Sequence, residues 1–243
     1  MEWQDEGVIL HTQTLGERKQ IVSLFTQSHG RCVGVFGGNS KTKAWLQCGG
    51  KMKARWGARL ENHIGYWTFE PLSTKTAFLL DEPGPLAALV SATALCQVAL
   101  PERNAYPHLF EKFETFLEDL RSPHWATSYV FFELALLEEL GYGLSLEACA
   151  MTGVTANLVA VSPRTGNAVC EAIARPYQGR LLPLPSFIPE KNIKNKPHHQ
   201  EILDALQLTG YFLERNLLGR PLPPARTRLV QQFVKMRNVH DRP

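Results

Sequence analysis

Between Arg18 and Arg59 the chain contains no acidic residue, although nine basic ones fall in the same interval: Arg18, Lys19, Arg31, Lys41, Lys43, Lys51, Lys53, Arg55 and Arg59. A segment of this kind cannot neutralise itself locally, and it points to an anionic partner. Paired cysteines are missing too. Cys32, Cys48, Cys96, Cys149 and Cys170 are odd in number and widely spaced. That argues against a disulfide framework and suits reduced thiols in a cytosol. The N-terminus, Met-Glu-Trp-Gln-Asp-Glu, has no apolar core, so no signal peptide is expected. The one long uncharged run, 83–101, is flanked by Pro83, Pro85 and Pro101 and interrupted by Ser91, Thr93 and Gln97. Its helical part, about 15 residues, falls short of the roughly 20 that span a bilayer, so it reads as a buried core helix.

Catalytic signatures are absent as well. Gly37-Gly38-Asn39-Ser40-Lys41-Thr42 has the composition of a phosphate loop, but counted from Gly34 the required Gly-Lys pair falls on Asn39-Ser40. There is no G-x-S-x-G and no H-E-x-x-H. His198 and His199 are adjacent and would point to different faces of a helix. These absences lead us to expect a protein that is not an enzyme. Cys149 and Cys170 bracket a short hairpin, as in a zinc knuckle, but the positions three residues on are Thr152 and Ile173, and no histidine lies between 125 and 197. Two thiolates do not complete a structural zinc site. The reading is therefore two half-buried thiols, with no metal and no cofactor.

What is present begins with residues 51–60. Lys51, Lys53, Arg55 and Arg59 occupy odd positions, while Met52, Ala54, Trp56, Ala58 and Leu60 occupy even ones. The period of two predicts a strand with a cationic face and an apolar one. Further strands are expected over 5–15, around Ile21–Phe25, over Arg31–Phe36 after the Gly30 turn, and over Gly65–Glu70, stopped by Pro71. Five short strands without helical interludes suggest an oligonucleotide-binding (OB) barrel. After Pro83-Gly84-Pro85 the period becomes helical, with helices expected over 86–100, 106–120, 122–140 and 198–218, and a last one opened by Pro223-Pro224. The fold class is α+β: an N-terminal five-stranded OB-fold β-barrel over 1–80, then an all-α C-terminal domain over 81–243. A small, degenerate zinc-knuckle-like hairpin is inserted at about 145–190. Charge follows the same division: net +4 over 1–80, −8 over 81–148 and +7 over 149–243. An acidic middle between basic ends favours an oriented encounter with an anion.

A bare row of lysines could also simply guard a sheet edge. Lys41 and Lys43 add charge in a neighbouring loop, and Trp45 offers a stacking surface for a base. The DNA-binding set expected from the residues is Arg18, Lys19, Arg31, Lys41, Lys43, Trp45, Lys51, Lys53, Arg55 and Arg59. Contacts would be mainly to phosphates, hence weakly sequence-specific and steeply salt-dependent. Arg226, Arg228, Lys235 and Arg237 near the end read as a solvated terminal helix rather than as part of the track. The alternative class is an interaction adaptor whose basic face docks an acidic protein segment.

Several motifs also resemble a known family. Asp5-Glu6-Gly7-Val8-Ile9-Leu10, Gly16-Glu17, Leu24-Phe25-Thr26 and His29-Gly30-Arg31 are similar to the opening of the RecO family of bacterial recombination-repair mediators. Phe132-Glu133-Leu134-Ala135-Leu136-Leu137 through Gly143 resembles that family's central helix, Ser162–Cys170 its hairpin, and Gly219-Arg220-Pro221-Leu222 its end. The resemblance implies an OB domain and a helical domain in a cytoplasmic, nucleoid-associated protein with no membrane partner. It implies binding of single- and double-stranded DNA and annealing of complementary strands. It further implies recognition of the acidic C-terminal tail of single-stranded DNA-binding protein (SSB) and, with RecR, loading of RecA onto SSB-coated strands in gap repair. The chain departs from the family twice. Two Cys-x-x-Cys pairs found in some members are reduced here to Cys149 and Cys170, and arginines found in some members before the central helix are replaced by Val130-Phe131.

Overall fold

The structure, a computed structural model, describes residues 1–38, 42, 45–60, 63–73, 79, 81–177, 179–191 and 197–240, with the backbone alone of 236–240. Two compact units form, Met1–Leu117 and Glu118–Pro243.

The first unit is built on strands β1 (Glu2–Leu15), β2 (Lys19–Thr26), β3 (Gly30–Gly37), β4 (Lys51–Gly57) and β5 (Gly65–Ser73). They close into a barrel in the order β1-β2-β3-β5-β4, with β4 pairing back onto β1. Pairing is antiparallel except for β3 with β5. Alternation along the strands fills the interior with Ile9, Val22, Leu24, Phe36, Met52, Ala54, Trp56, Trp67 and Phe69. Both buried indoles are satisfied: Trp56 Nε1–H donates to Val33 O and Trp67 Nε1–H to Val22 O, each at 3.1 Å. Closure at the β4–β5 corner requires glycine, because a Cβ on Gly65 would lie 2.1 Å from the Trp56 ring.

Two boundaries differ from the sequence reading. β4 ends at Gly57, so Leu60, expected inside, is 60% exposed. β5 is not stopped by Pro71. The ladder passes through Met52↔Pro71 and then shifts register to Lys51↔Ser73, which leaves Leu72 as the bulged residue. A bulge is where a strand tolerates a residue without an N–H.

The outer face of β1 and β2 is also apolar, and helices α1 (Pro83–Ala99) and α2 (Pro107–Asp119) belong to the same unit. Phe25 packs edge-on against Phe110 at 5.2 Å between ring centroids and also meets Phe113. The linker between these helices docks on the start of β3. Arg31 Nε–H donates to Leu100 O at 2.7 Å, and Arg103 N–H donates to Arg31 O at 2.8 Å. α1 occupies the uncharged run, and no described helix is long and apolar enough to cross a membrane.

The second unit contains α3 (Trp125–Glu139), α4 (His199–Phe212) and α5 (Pro224–His240). α4 continues through a π-helical turn, Leu213–Leu218, and stops at Gly219 in the left-handed region. The expected hairpin is β6 (Leu158–Val161) and β7 (Ala168–Cys170), joined across Ser162–Asn167. It has a third strand that the proline-rich sequence concealed, β8 (Leu182–Pro183), giving the order β7-β6-β8.

Candidate nucleic-acid interface

On β4 the period of two is realised side chain by side chain: Met52, Ala54 and Trp56 are buried, Lys53 and Arg55 are exposed, and Lys51 is intermediate. Antiparallel pairing then supplies what the local sequence lacks. Lys53 stands opposite Glu6 of β1 on one side and Glu70 of β5 on the other. Arg55 Nε lies 2.5 Å from Glu2 Oε1. Lys51 Nζ lies 3.0 Å from Glu6 Oε2 and 2.6 Å from Glu114 Oε1 on α2. The Glu114 hydrogen bond, with help from Glu6, holds the Lys51 ammonium above its ordinary pKa. The Arg55 guanidinium likewise keeps the Glu2 carboxyl below the usual carboxylate range. The face is thus a lattice of both signs rather than a bare cationic strip. Exposed pairs of this kind are weak, so a phosphate can displace Glu2 from Arg55 at small cost.

The other described residues of the expected set are scattered, except for the neighbours Arg18 and Lys19. Arg18 and Lys19 are exposed at the β1–β2 hairpin, with no ion-pair partner among the described residues. Arg59 is exposed just beyond β4. Arg31 is committed to Leu100 O and lies 3.4 Å from Glu102, with its side chain largely covered. Trp45 is half-buried against the barrel core rather than standing free. Lys41 and Lys43 lie outside the described residues. The structure therefore brings Lys51, Lys53 and Arg55 together on one strand, and Arg18 with Lys19 on one hairpin.

An exposed aromatic on this barrel was missed by sequence reasoning. Tyr66 is 62% exposed on the outer side of β5, opposite Gly57 of β4 and Val35 of β3. Gly57 has no side chain to cover the ring. In antiparallel register Arg55 is the diagonal neighbour of Tyr66 on the same face. Alternation in Gly65-Tyr66-Trp67-Thr68-Phe69 carried the signal, since Trp67 and Phe69 point inward and Tyr66 must then point out. Nearby, the Arg103 guanidinium lies 5.1 Å from the Trp56 ring centroid, and Trp3 stacks on His29 at 3.9 Å.

Comparison with known proteins decides the lineage. Residues 1–74 match the family described as Recombination protein O N terminal, and residues 83–224 match Recombination protein O C terminal. The chain belongs to the RecO family. It is 41% identical over 242 residues to the DNA repair protein RecO of Rhodospirillum centenum, covering 97% of this chain and 96% of the relative. It is 42% identical over 242 residues to that of Ruegeria sp., covering 97% and 99%. It is 41% identical over 239 residues to that of Caulobacter sp., covering 96% and 98%. RecO membership gives the chain a role in DNA repair and recombination.

Within α3, Val130 is fully buried and Phe131 packs edge-on against Phe187. An open groove of about 640 Å³ lies elsewhere in the second unit, lined by Tyr211, Glu214, Arg215, Gly219, Arg220 and Pro221. Arg215 stacks over the Tyr211 ring at 5.6 Å and also donates to its hydroxyl.

Proposed function

We propose that this protein is a non-catalytic recombination mediator. It binds single- and double-stranded DNA on the outer β4–β5 face and the β1–β2 hairpin of its barrel, and it anneals complementary strands. With RecR it promotes RecA loading on SSB-coated single strands. The observation that carries the reading is the juxtaposition of Lys53, Arg55 and exposed Tyr66 on one barrel face, in a chain that matches RecO over residues 1–74 and 83–224.

The mechanism is electrostatic. Cations lodged between two phosphate backbones lower their mutual repulsion, so pairing can nucleate while the bases remain free. The ion-paired lattice makes this contact reversible, because each carboxylate released by a phosphate is available to retake its cation. Tyr66 supplies a π-face on which an unpaired base can stack without regard to sequence. In the second unit, the groove of Tyr211, Arg215 and Arg220 offers two guanidiniums and an aromatic wall, the chemistry an acidic SSB tail with an apolar end requires.

The test is a strand-annealing assay with and without SSB. Annealing should exceed the spontaneous rate, persist on SSB-coated strands, and fall steeply with added salt. A protein that neither binds an oligonucleotide at low salt nor accelerates annealing would overturn the reading.

A further inference from the structure

We infer that Cys149 and Cys170 form a reversible redox pair, in which a hydroperoxide oxidises Cys149 and Cys170 resolves the product to an intramolecular disulfide. Backbone hydrogen bonds bring the two cysteine-bearing segments together. Cys149 opens a tight turn: its N–H donates to Val154 O, and its carbonyl accepts from Gly153 N–H, both at 2.8 Å. Gly153 makes this possible with φ of +72°. The turn is tied to β7 by Ala150 N–H donating to Ala168 O at 3.0 Å, which sets Cys149 beside Cys170 at the end of that strand. In this arrangement hydrogen bonding from Thr152 foremost, and from the backbone of Cys170, Met151 and Thr152, favours the charged form of Cys149. The Thr152 hydroxyl oxygen is 3.7 Å from the Cys170 sulfur.

The other three cysteines have no such setting. Cys32 and Cys48 donate to the carbonyls of His29 and Leu10, and Cys96 is fully buried in α1. Burial pushes all three thiols up, Cys32 to about 11. The donors around Cys149, Thr152 foremost, pull its thiol down to about 6, the direction that favours the reactive thiolate. Both cysteines are buried, at 2% and 6% exposed, and the stretch between Cys149 and β6, residues 150–157, is exposed throughout.

The chemistry balances. The Cys149 thiolate attacks one peroxide oxygen, the O–O bond breaks, and hydroxide or alkoxide leaves as sulfur is oxidised to the sulfenic acid. Cys170 sulfur then attacks Cys149 sulfur. The S–S bond forms as the S–O bond breaks, and the hydroxyl departs as water with the Cys170 proton. A dithiol reductant reverses the step. The disulfide fastens the exposed turn, including Met151 and Val154, to the edge of the β6–β7 hairpin.

The experiment treats the full-length protein with hydrogen peroxide at neutral pH, alkylates the free thiols, and maps peptides without reduction. Arg164 lies between the two cysteines, so trypsin leaves them on separate peptides. The expected product is a linked Cys149–Cys170 pair, about 2 Da lighter than the dithiol and restored by dithiothreitol. Cys32, Cys48 and Cys96 should stay reduced and be alkylated only on denaturation. Without oxidant, alkylation of Cys149 should show a midpoint near 6. Cys170→Ser should trap a dimedone-reactive Cys149. Oxidation of Cys149 to sulfinic acid with Cys170 still free, or oxidation of Cys48 ahead of it, overturns the proposal on the wild-type map alone.

Discussion

Arg226 on α5 and Glu133 on α3, 93 residues apart, form a two-pronged buried pair, with Nε–H donating to Oε1 at 3.0 Å and an Nη2–H to Oε2 at 3.1 Å. Neither is accessible: Arg226 is 4% exposed and Glu133 0%. Tyr129 O–H donates to Glu133 Oε1 at 2.6 Å, and the Thr209 hydroxyl donates to Oε2. Gly210 leaves room for the guanidinium, since a Cβ there would meet it at 3.2 Å. Burial works against the Arg226 charge, yet the Glu133 carboxylate holds its pKa above even the usual arginine range. The sequence reading placed Arg226 on a solvated helix face, and the structure corrects this. Removing one partner strands the other charge, so Glu133→Ala should destabilise by about 3–5 kcal/mol. The double variant Glu133→Gln/Arg226→Met should cost far less than the sum of its single changes. Urea unfolding followed by circular dichroism across the double-mutant cycle measures this coupling.

Gly30 turns β2 into β3 with φ of +68°, and a Cβ there would lie 1.7 Å from Asn104 O. Gly30→Ala should therefore cost more than about 2 kcal/mol, because left-handed strain and a backbone collision add. Gly16→Ala is the control. Its φ is also positive, at +63°, but nothing lies within 4 Å. Equal melting temperatures for the two variants would contradict this account.

Reversing Lys51 is a poor probe of DNA contact, since it would set a third carboxylate beside Glu6 and Glu114. Lys51→Glu should lower the melting temperature. Arg18→Ala, Lys19→Ala and Arg55→Ala should leave melting nearly unchanged while weakening DNA binding. Each lost phosphate contact should flatten the plot of log affinity against log salt by about 0.7 for single strands. A salt slope unaltered in the triple variant would remove these residues from the interface.

Tyr66→Ala should weaken binding to a single-stranded oligonucleotide by roughly 5- to 100-fold, the range for loss of one stacked base. Duplex affinity should hardly change, because duplex bases already stack on one another. Tyr66→Phe should behave as wild type. Fluorescence anisotropy with both substrates reads the difference, and equal losses on the two would point to a phosphate role.

The raised pKa of Lys51 has a definite sign for stability. The ammonium is favoured in the folded state by Glu114 and then Glu6, so its contribution is fully present below the unfolded lysine pKa and is lost as pH rises through the folded value. Alkaline melting of Lys51→Met should accordingly fall less steeply above about pH 10 than that of wild type. Parallel curves would show that the clasp contributes nothing.

Much of the fold was legible because its determinants are periodic and local. Alternation through Met52, Ala54 and Trp56 identified a barrel strand, Gly30 marked a turn, and Gly141 and Gly219 lie in the left-handed region beyond helices. The segment 81–243 showed helical spacing and forms helices, of which α1 belongs to the same compact unit as the barrel. The candidate interface was only partly legible. Lys51, Lys53, Arg55 and their shared face follow from the period of two, but Glu2, Glu6, Glu70 and Glu114 come beside them through pairing and packing across the chain. Leu60 turned outward because the ladder ended three residues earlier, at Gly57. The primary sequence by itself determined which faces of each element are apolar, where the chain turns, and how many cations it carries, since these depend on neighbours along the chain. Only the tertiary structure decided which charges are neutralised and which are buried. Coulomb interaction and desolvation depend on distance through space, and Arg31, Lys51 and Arg226 meet their partners far from them in sequence.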